Sequence, residues 1–141
     1  MIPERPVIPE HFEPLSTSPF SQRIGPLYIS NRDELPVVGV MIESHHLNTG
    51  GRAHGGLLMS LADIALSRAV RSHLPAGATM ATADLHIAFL DGVAEGGWIQ
   101  AEPSIDRVGR SLIHASCVLR AREQNVARVL ATFAVRLTGL G

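Results

Sequence analysis

The chain has 141 residues with 12 basic and 13 acidic side chains, for a net charge of −1, and this length suits one domain with its own hydrophobic core. Hydrophobic residues make up 45% and charged residues 18%, which excludes an intrinsically disordered chain, and the near-neutral charge argues against binding to a nucleic-acid backbone. All basic residues are arginines, so chemistry that needs lysine, such as Schiff-base formation or a Walker loop, is excluded as well.

Residues 1–25 predict an irregular arm. Five of the nine prolines lie in this segment, and a sixth, Pro26, follows it directly. Proline lacks the amide hydrogen that helices and strand ladders use. We therefore expect an arm over residues 1–25, packed on a domain over residues 26–141.

Two short strands are predicted next, over residues 26–30 and 36–44, because both runs are apolar and the segment between them is typical of a turn. The following segment, HHLNTGGRAHGG, contains too much glycine for a regular element and predicts a loop. A helix is predicted from about residue 54 to residue 74. Because apolar residues lie almost all the way round this helix, we expect it to be buried.

The polar residues of this helix form one narrow seam. Ser60, Asp63, Ser67 and Arg71 follow each other at spacings of three or four residues, which puts them on one side of the helix. A carboxylate in a buried helix is destabilising unless it has a partner or a function, and the neighbouring turns offer Asp63 no cation. A partner on another strand and a catalytic role are both open.

Four longer strands are predicted after the helix, over residues 78–90, 98–107, 111–122 and 126–137. In the first of them, alternation predicts one face with Thr82, Asp84 and His86. The opposite, apolar face would carry Ala81, Ala83, Leu85, Ile87 and Phe89. Tight turns at 109–110 and 124–125 join the last three strands. The order of elements predicts an α+β fold in which four strands form a meander and an antiparallel sheet wraps around the long helix.

The glycine-rich loop leads into the start of the predicted helix, where the first backbone amides have no partner within the helix. Glycine there lets a ligand approach the backbone closely, and the helix dipole adds a positive potential, so the loop suits an oxyanion. The alternative is that the glycines only form the turn and that His54 or Asn48 caps the helix.

The loop and the helix together resemble a known family. The run Asn48-x-x-Gly51-x-x-His54-Gly55-Gly56, followed by Asp63 nine residues after the histidine, is similar to the signature of the hotdog-fold acyl-CoA thioesterases of the phenylacetate-pathway and 4-hydroxybenzoyl-CoA type. The resemblance covers the chain from about residue 36 to the C-terminus. It implies the hotdog fold, in which an antiparallel sheet wraps a long helix, and a dimer or a dimer of dimers.

The resemblance also implies site residues. The Gly55 amide would polarise the thioester carbonyl, Asn48 would hold the carbonyl or the water, and Asp63 would act as general base or nucleophile. Thr82 matches the position of a hydroxyl that orients the water. His54, beside the oxyanion site, would assist the leaving thiolate.

Coenzyme A is implied as part of the substrate, so no separate cofactor is expected. In the family a turn between late strands binds the nucleotide of coenzyme A, which here corresponds to Gly109, Arg110 and Ser111. Arginine suits phosphate through its fork of donors, and the alternative is an ordinary hairpin turn. One departure concerns residues 131–136, where some relatives have a histidine and this chain has none, so no leaving-group role is expected from the last strand.

The remaining histidines and the cysteine predict no further chemistry. The histidine spacings contain no metal motif, so no metal is expected, and Cys117 falls on the apolar face of its strand, where we expect an inert thiol. With one cysteine no intramolecular disulfide forms, and the start MIPERPVIPE lacks the apolar run of a secretion signal. No stretch reaches the about 18 apolar residues of a membrane span. We therefore expect a cytoplasmic protein.

We predict an acyl-CoA thioesterase in which water activated by Asp63 attacks a carbonyl held by the Gly55 amide. Two alternatives stay open: a hotdog-fold hydratase or dehydratase, which would pair His54 with Asp63, and a non-catalytic acyl-CoA-binding module, which would not need Asp63. Because eight residues of helix separate Gly55 from Asp63 by about 12 Å, one chain cannot bring both to one carbonyl. We therefore expect a site shared between two antiparallel copies in a homo-oligomer, with neither nucleic acid nor membrane as a partner.

Overall fold

The computed structural model describes residues 7–15 and 18–137, which contain seven strands, two α-helices and one short 3-10 helix. The strands are β1 Glu13–Leu15, β2 Leu27–Ser30, β3 Val37–Met41, β4 Thr79–Phe89, β5 Trp98–Val108, β6 Leu112–Ala121 and β7 Gln124–Arg136. The α-helices are α1 Pro19–Ile24 and α2 Gly55–Arg71, and the 3-10 helix is Ser44–His46. Neither α-helix of the described residues has the length and apolar character needed to cross a bilayer.

All seven strands belong to one antiparallel sheet in the order β1-β2-β3-β5-β6-β7-β4. The predicted meander is wrong at one connection, because β4 pairs with β7 while β5 lies between β3 and β6. The segment after β4 crosses in front of the start of α2, where the Ala53 amide donates to the Val93 carbonyl at 2.8 Å. It then exchanges two backbone hydrogen bonds with Ile42. These hydrogen bonds satisfy backbone polar groups of the segment between β4 and β5. The segment can therefore cross the domain, and β4 can lie at the far edge of the sheet.

The helix α2 packs across the inner face of the sheet, as its apolar pattern predicts. Its fully buried side chains are Leu61, Ala62, Ala65, Leu66, Ala69 and Val70. Those of the sheet include Val38, Val40, Ile99, Ala101, Ile113, Leu119 and Phe133. Burial of this apolar surface, at roughly 25 cal/mol per Å², fixes the helix on the sheet. The seam residues Ser60, Asp63 and Ser67 are only half-buried, so the seam lies beside the core and not within it.

A β-bulge at Ala83 changes the expected faces of β4. The register passes from Thr82 to Asp84 between consecutive residues of β7, so Ala83 is an extra residue that interrupts the alternation. Thr82 therefore faces α2, whereas Asp84 and His86 lie on the outer face of the sheet. The predicted grouping of these three residues is wrong, and Ala81 likewise moves to the outer face, because the amino-acid pattern carries no sign of the bulge.

The predicted arm contains two regular elements, β1 and α1, which the expectation of an irregular segment did not include. β1 pairs with β2 at the edge of the sheet, where a strand tolerates Pro14. Pro19 occupies the first turn of α1, where its missing amide is not needed, and the Ser18 side chain caps the helix. Phe12 is buried edge-on against Trp98, with ring centroids 5.0 Å apart. Because these prolines lie at positions where a strand or helix tolerates proline, their number alone did not predict the structure of the segment. Residues 1–6 and 16–17 lie outside the described part.

The turn between β6 and β7 lies two residues earlier than predicted. Ala121 pairs with Gln124, so Arg122 and Glu123 form the turn, and Arg122 has a φ of 55°. Asparagine tolerates such a left-handed backbone better than arginine does, which is why the sequence favoured Asn125 for the turn.

Candidate active site

The start of α2 carries a free backbone amide. His54 is the N-cap, and its Nδ1 accepts a hydrogen bond from the Gly56 amide at 2.9 Å. The His54 carbonyl accepts from the amides of Leu57 and Leu58. Within the described residues nothing accepts from the Gly55 amide, which therefore remains available at the positive end of the helix. His54 therefore caps the helix, as the alternative interpretation of the loop expects, and because Nδ1 accepts, its neutral ring carries the proton on Nε2.

The Asn48 side chain organises the loop ahead of α2. Its Oδ1 accepts from the amides of Gly50 and Arg52 at 2.9 and 3.1 Å, and its backbone amide donates to the Arg52 carbonyl at 2.7 Å. Gly51 follows with a φ of 78°, a conformation that glycine adopts without strain. Because Oδ1 already has two partners, the Nδ2 amide is the part of Asn48 that can contact a substrate.

The ring of Phe89, the last residue of β4, covers Gly55. A Cβ atom at position 55 would lie 3.1 Å from Cζ and 3.3 Å from Cε1 of this ring, so any side chain at this position would require the ring to shift by a few tenths of an ångström. The Phe89 side chain is nevertheless 53% exposed, and its ring forms a wall beside the free amide. Sequence reasoning missed this role, because an aromatic residue in an alternating strand is typical of a core position.

Asp63 lies half-buried in the middle of α2 and faces β4. Thr82 donates from Oγ1 to Oδ1 of Asp63 at 2.7 Å. No cation of the described residues lies within ion-pair distance of this carboxylate. The partner on another strand is therefore a hydroxyl, aimed at α2 by the bulge at Ala83. A hydroxyl orients a carboxylate without neutralising it, so the charge stays available for a reaction.

β4 runs antiparallel to α2 and connects both parts of the site. Phe89 meets Gly55 at the start of the helix, and Thr82 meets Asp63 at its middle. The outer edge of β4 pairs with no other strand of the described chain. Gly55 and Asp63 are about 12 Å apart along the helix axis, so both lie along the same open edge without reaching one atom together.

The predicted nucleotide-binding turn lies at the other end of the domain. The Gly109 amide donates to the Leu112 carbonyl at 2.8 Å and closes the β5–β6 hairpin, and Arg110 and Ser111 are exposed. The register puts this hairpin end near the start of β4 and the end of α2. Because α2 has 17 residues, its ends are roughly 24 Å apart, and the turn does not come near Gly55 of the same chain.

A cavity of about 380 Å³ lies between α1 and the start of α2. It is lined by Phe20, Arg23, Ile24, His45, His46, His54, Gly56, Leu57 and Ser60. Because His54 and Gly56 belong to its wall, the cavity borders on the free amide. A larger groove of about 690 Å³ between residues 32–37 and β5 contacts none of the predicted site residues.

Two adjacent histidines attach α1 to the rest of the domain. His45 donates from Nε2 to the Gly25 carbonyl at 2.7 Å, and His46 donates from Nε2 to the Ile24 carbonyl at 2.6 Å. Nδ1 of His46 accepts from the Glu43 amide at 2.9 Å. His46 is 3% exposed, and burial lowers its pKa below the ordinary value of 6.5. Glu43 and these histidines lie close enough together to suggest a metal site, but both ring nitrogens of His46 already have protein partners, so the cluster suits the docking of α1 better.

Cys117 lies on the inner face of β6 and is 2% exposed, as its place in the strand predicts. Burial raises the pKa of its thiol to about 12. The thiol is therefore protonated at neutral pH and is not a nucleophile.

Known proteins are similar to this chain in sequence, and solved structures are similar to it in fold. Residues 50–128 match the model of the thioesterase superfamily. The chain is 33% identical over 128 residues to the inferred esterase PA0474 of Pseudomonas aeruginosa, covering 89% of this chain and 96% of that relative. The conserved protein PA5202 of the same species has a similar solved structure, with a TM-score of 0.79 and 26% identity over 85% of this chain and 95% of that one. The structure of BH2602 from Bacillus halodurans with CoA is similar with a TM-score of 0.68 and 26% identity, over 71% of this chain and 66% of that one.

Proposed function

The chain belongs to the thioesterase superfamily, and from this premise we propose that it hydrolyses the thioester of an acyl-CoA to a free acid and coenzyme A. Thioester hydrolysis follows from the family, and the α+β architecture of a long helix on a seven-stranded antiparallel sheet is the expected hotdog fold. The acyl-CoA substrate is proposed because a similar structure was solved with CoA.

Five residues have roles in the proposed reaction. Asp63 deprotonates a water molecule, or attacks the carbonyl itself, while the Gly55 amide holds the carbonyl oxygen as negative charge develops. The new oxygen–carbon bond forms, the carbon–sulfur bond breaks, and the coenzyme A thiolate takes up a proton. The proton that Asp63 removed from the water passes to this thiolate, and His54, whose Nδ1 is an acceptor, can donate a hydrogen bond from Nε2 to the departing sulfur. If Asp63 attacks the carbonyl itself, a water molecule then hydrolyses the resulting anhydride, which supplies the proton and restores the carboxylate. Thr82 keeps the Asp63 carboxylate in position, and Nδ2 of Asn48 can donate to the carbonyl or the water.

The observation that carries this proposal is the hydrogen bonding of the Asp63 carboxylate. A carboxylate that is partly removed from water is destabilised unless it has an ion-pair or hydrogen-bond partner, and the partner that Asp63 has is one hydroxyl on the open edge strand β4. A positioned base of this kind accelerates proton transfer by about 10²- to 10⁴-fold. A preorganised amide such as that of Gly55 lowers the barrier by about 3–4 kcal/mol.

We propose that the complete site forms between two copies of the chain. A second copy can pair its β4 with the open edge of the first, antiparallel and about a two-fold axis. If the axis passes between Gly55 and Asp63, next to the 38% exposed Met59, Asp63 of one copy comes opposite Gly55 of the other. The same two-fold rotation brings residues 109–111 of one copy toward the start of α2 in the other copy. Pairing would also cover the open edge of β4, which is 11 residues long. An open strand edge of this length otherwise favours aggregation.

The test is release of free thiol from a panel of acyl-CoAs by the purified protein. Asp63→Asn keeps the shape but not the base, so kcat should fall by about 100-fold or more while KM stays within a few-fold, because the base acts mainly in the transition state. Asp33→Asn is the matched control, since Asp33 is exposed between β2 and β3, and it should keep the kinetics of the unmodified protein. An Asp63→Asn variant with half of the original activity would remove Asp63 from the mechanism.

The same assay separates the two alternatives. A hydratase or dehydratase changes a carbon–carbon double bond of the acyl group and releases no thiol. A binding module holds acyl-CoA and does neither. Thiol release that depends on Asp63 contradicts both.

A further inference from the structure

The cavity between α1 and α2 begins one residue away from the amide proposed to hold the carbonyl oxygen. His54 and Gly56, on either side of Gly55, both belong to its wall. A thioester whose carbonyl oxygen binds at Gly55 therefore has one of its two substituents, the acyl group or the thiol portion, at the entrance of the cavity.

The lining of the cavity favours the acyl group. Phe20, Ile24 and Leu57 give it an apolar surface, and such surface stabilises hydrocarbon by removing it from water. Of the polar residues in the lining, His45, His46, His54 and Ser60 already hydrogen-bond to backbone groups. Apart from Arg23, the cavity therefore offers few free partners to the amides and phosphates of coenzyme A. The Phe20 ring is 59% exposed, so it has apolar surface free to contact a ligand.

α1 forms a fixed wall of this cavity. Its last carbonyl and that of Gly25 are held by His46 and His45, and its first turn is capped by Ser18. Phe20 is therefore presented to the cavity from an anchored helix, and a change in the size of this side chain should change the space that a ligand finds there.

The volume sets the size of the acyl group. At about 30 Å³ for a water-sized group, a cavity of about 380 Å³ holds roughly a dozen such groups. This is near the lower end of small-molecule sites, which span about 300–1,000 Å³. Since a straight chain does not fill an irregular cavity completely, an acyl chain of more than about ten carbons would extend beyond it.

We infer that this cavity is the acyl-binding site, that it takes apolar acyl groups of up to about ten carbons, and that Phe20 determines this limit; the inference rests on the proposed thioesterase function. The test is kcat/KM for saturated straight-chain acyl-CoAs of about four to sixteen carbons. For the unmodified protein kcat/KM should rise about four-fold per added methylene, the effect of burying one CH₂ group. The rise should stop at about ten carbons, and we call this chain length the break. Phe20→Trp should move this break to shorter chains by about two carbons, and Phe20→Ala should move it to longer chains.

Leu130→Ala is the matched control, since Leu130 is 63% exposed on the outer face of β7, away from the cavity, and its break should not move. Because Phe20 and Leu130 are both exposed, their variants should fold, which a thermal melt verifies. An unmoved break in both Phe20 variants overturns the inference, while thiol release by the unmodified protein still supports the proposed function. If no acyl-CoA is hydrolysed, the proposed function fails, and calorimetric binding of the same series decides the inference by the presence or absence of the same break.

Discussion

The hydrogen bond from Thr82 to Asp63 leads to a prediction about a single hydroxyl. Thr82→Val keeps the shape of the side chain and loses the donor, and a hydrogen bond to a charged group is worth about 1.5–3 kcal/mol. We therefore expect kcat to fall by about 10- to 100-fold. Thr82→Ser keeps the donor and should stay within a few-fold. Steady-state kinetics of both variants give the answer, and a loss in Thr82→Ser with none in Thr82→Val would show that the methyl group of Thr82 matters, not its hydroxyl.

Sequence reasoning found the residues whose roles depend on local structure. The cap at His54 and the free amide at Gly55 follow from a glycine-rich loop before an apolar helix, and the placement of Asp63 follows from the helical period. Phe89 was missed, because its contact with Gly55 depends on how β4 lies along α2. Phe20 was missed as well, since no helix was predicted around it. Tertiary contacts of this kind leave no trace in a local pattern.

The turn between β6 and β7 gives a prediction at the scale of one element. Arg122 has a left-handed backbone, which costs a non-glycine residue about 1–2 kcal/mol, whereas glycine adopts it freely. Part of this gain is lost because glycine is more flexible in the unfolded chain. Arg122→Gly should therefore raise the free energy of unfolding by about 0.5–1 kcal/mol, measured by urea denaturation. Gln124→Gly, within β7, should lower it, and a lower stability for Arg122→Gly would show that the turn is not strained.

The attachment of α1 should depend on pH. Because burial lowers the pKa of folded His46 below 6.5, the unfolded state binds more protons once the pH falls below that value, and stability then decreases as the pH falls. Well above pH 6.5 His46 is neutral in both states and contributes no slope. The facing groups, His45 and Glu43, act in opposite directions on this pKa.

Urea denaturation between about pH 5 and pH 8 tests this dependence of stability on pH, because the interval spans the ordinary pKa of histidine. The unmodified protein should lose stability below about pH 6.5, and His46→Asn should lose less over the same interval. His86→Asn is the control, because His86 is exposed on the outer face of the sheet, and it should keep the original slope. Identical slopes for His46→Asn and the unmodified protein would contradict the prediction.

At the scale of elements, periodicity predicted the long helix and six of the strands to within a few residues. It could not predict β1 and α1, because their prolines lie at positions where proline is tolerated. It also could not predict that β4 pairs with β7 and leaves one edge open, since the order of strands along the chain does not determine their order in a sheet. The open edge, which matters most for the site, became visible only in the structure.

The shared site gives a prediction for the whole molecule. Asn48→Ala and Asp63→Ala should each be nearly inactive alone, and the two variants should complement each other when they are refolded together. In a random mixture about half of the dimers contain one of each, and every mixed dimer has one intact site, so about a quarter of the original activity should return.

The control for this experiment is a mixture of Asn48→Ala with Asn48→Ala carrying a distinguishable tag, which should restore nothing. If mixed dimers of the two different variants form and no activity returns, Asn48 and Asp63 serve one site from one chain, and the shared-site model is wrong.

The pairing of both β4 and β6 with β7 has a consequence for the order in which the chain folds. β4 is complete at residue 89, but its strand neighbour begins at residue 124, about 35 residues later. At a synthesis rate of about 5–20 residues per second, β4 would wait roughly two to seven seconds with both edges open. During that interval the exposed Phe89 and Leu90 have no sheet beside them. The arrival of β7 covers one edge of β4 and one edge of β6 in a single step, so the chain passes its most aggregation-prone stage just before β7 is synthesised.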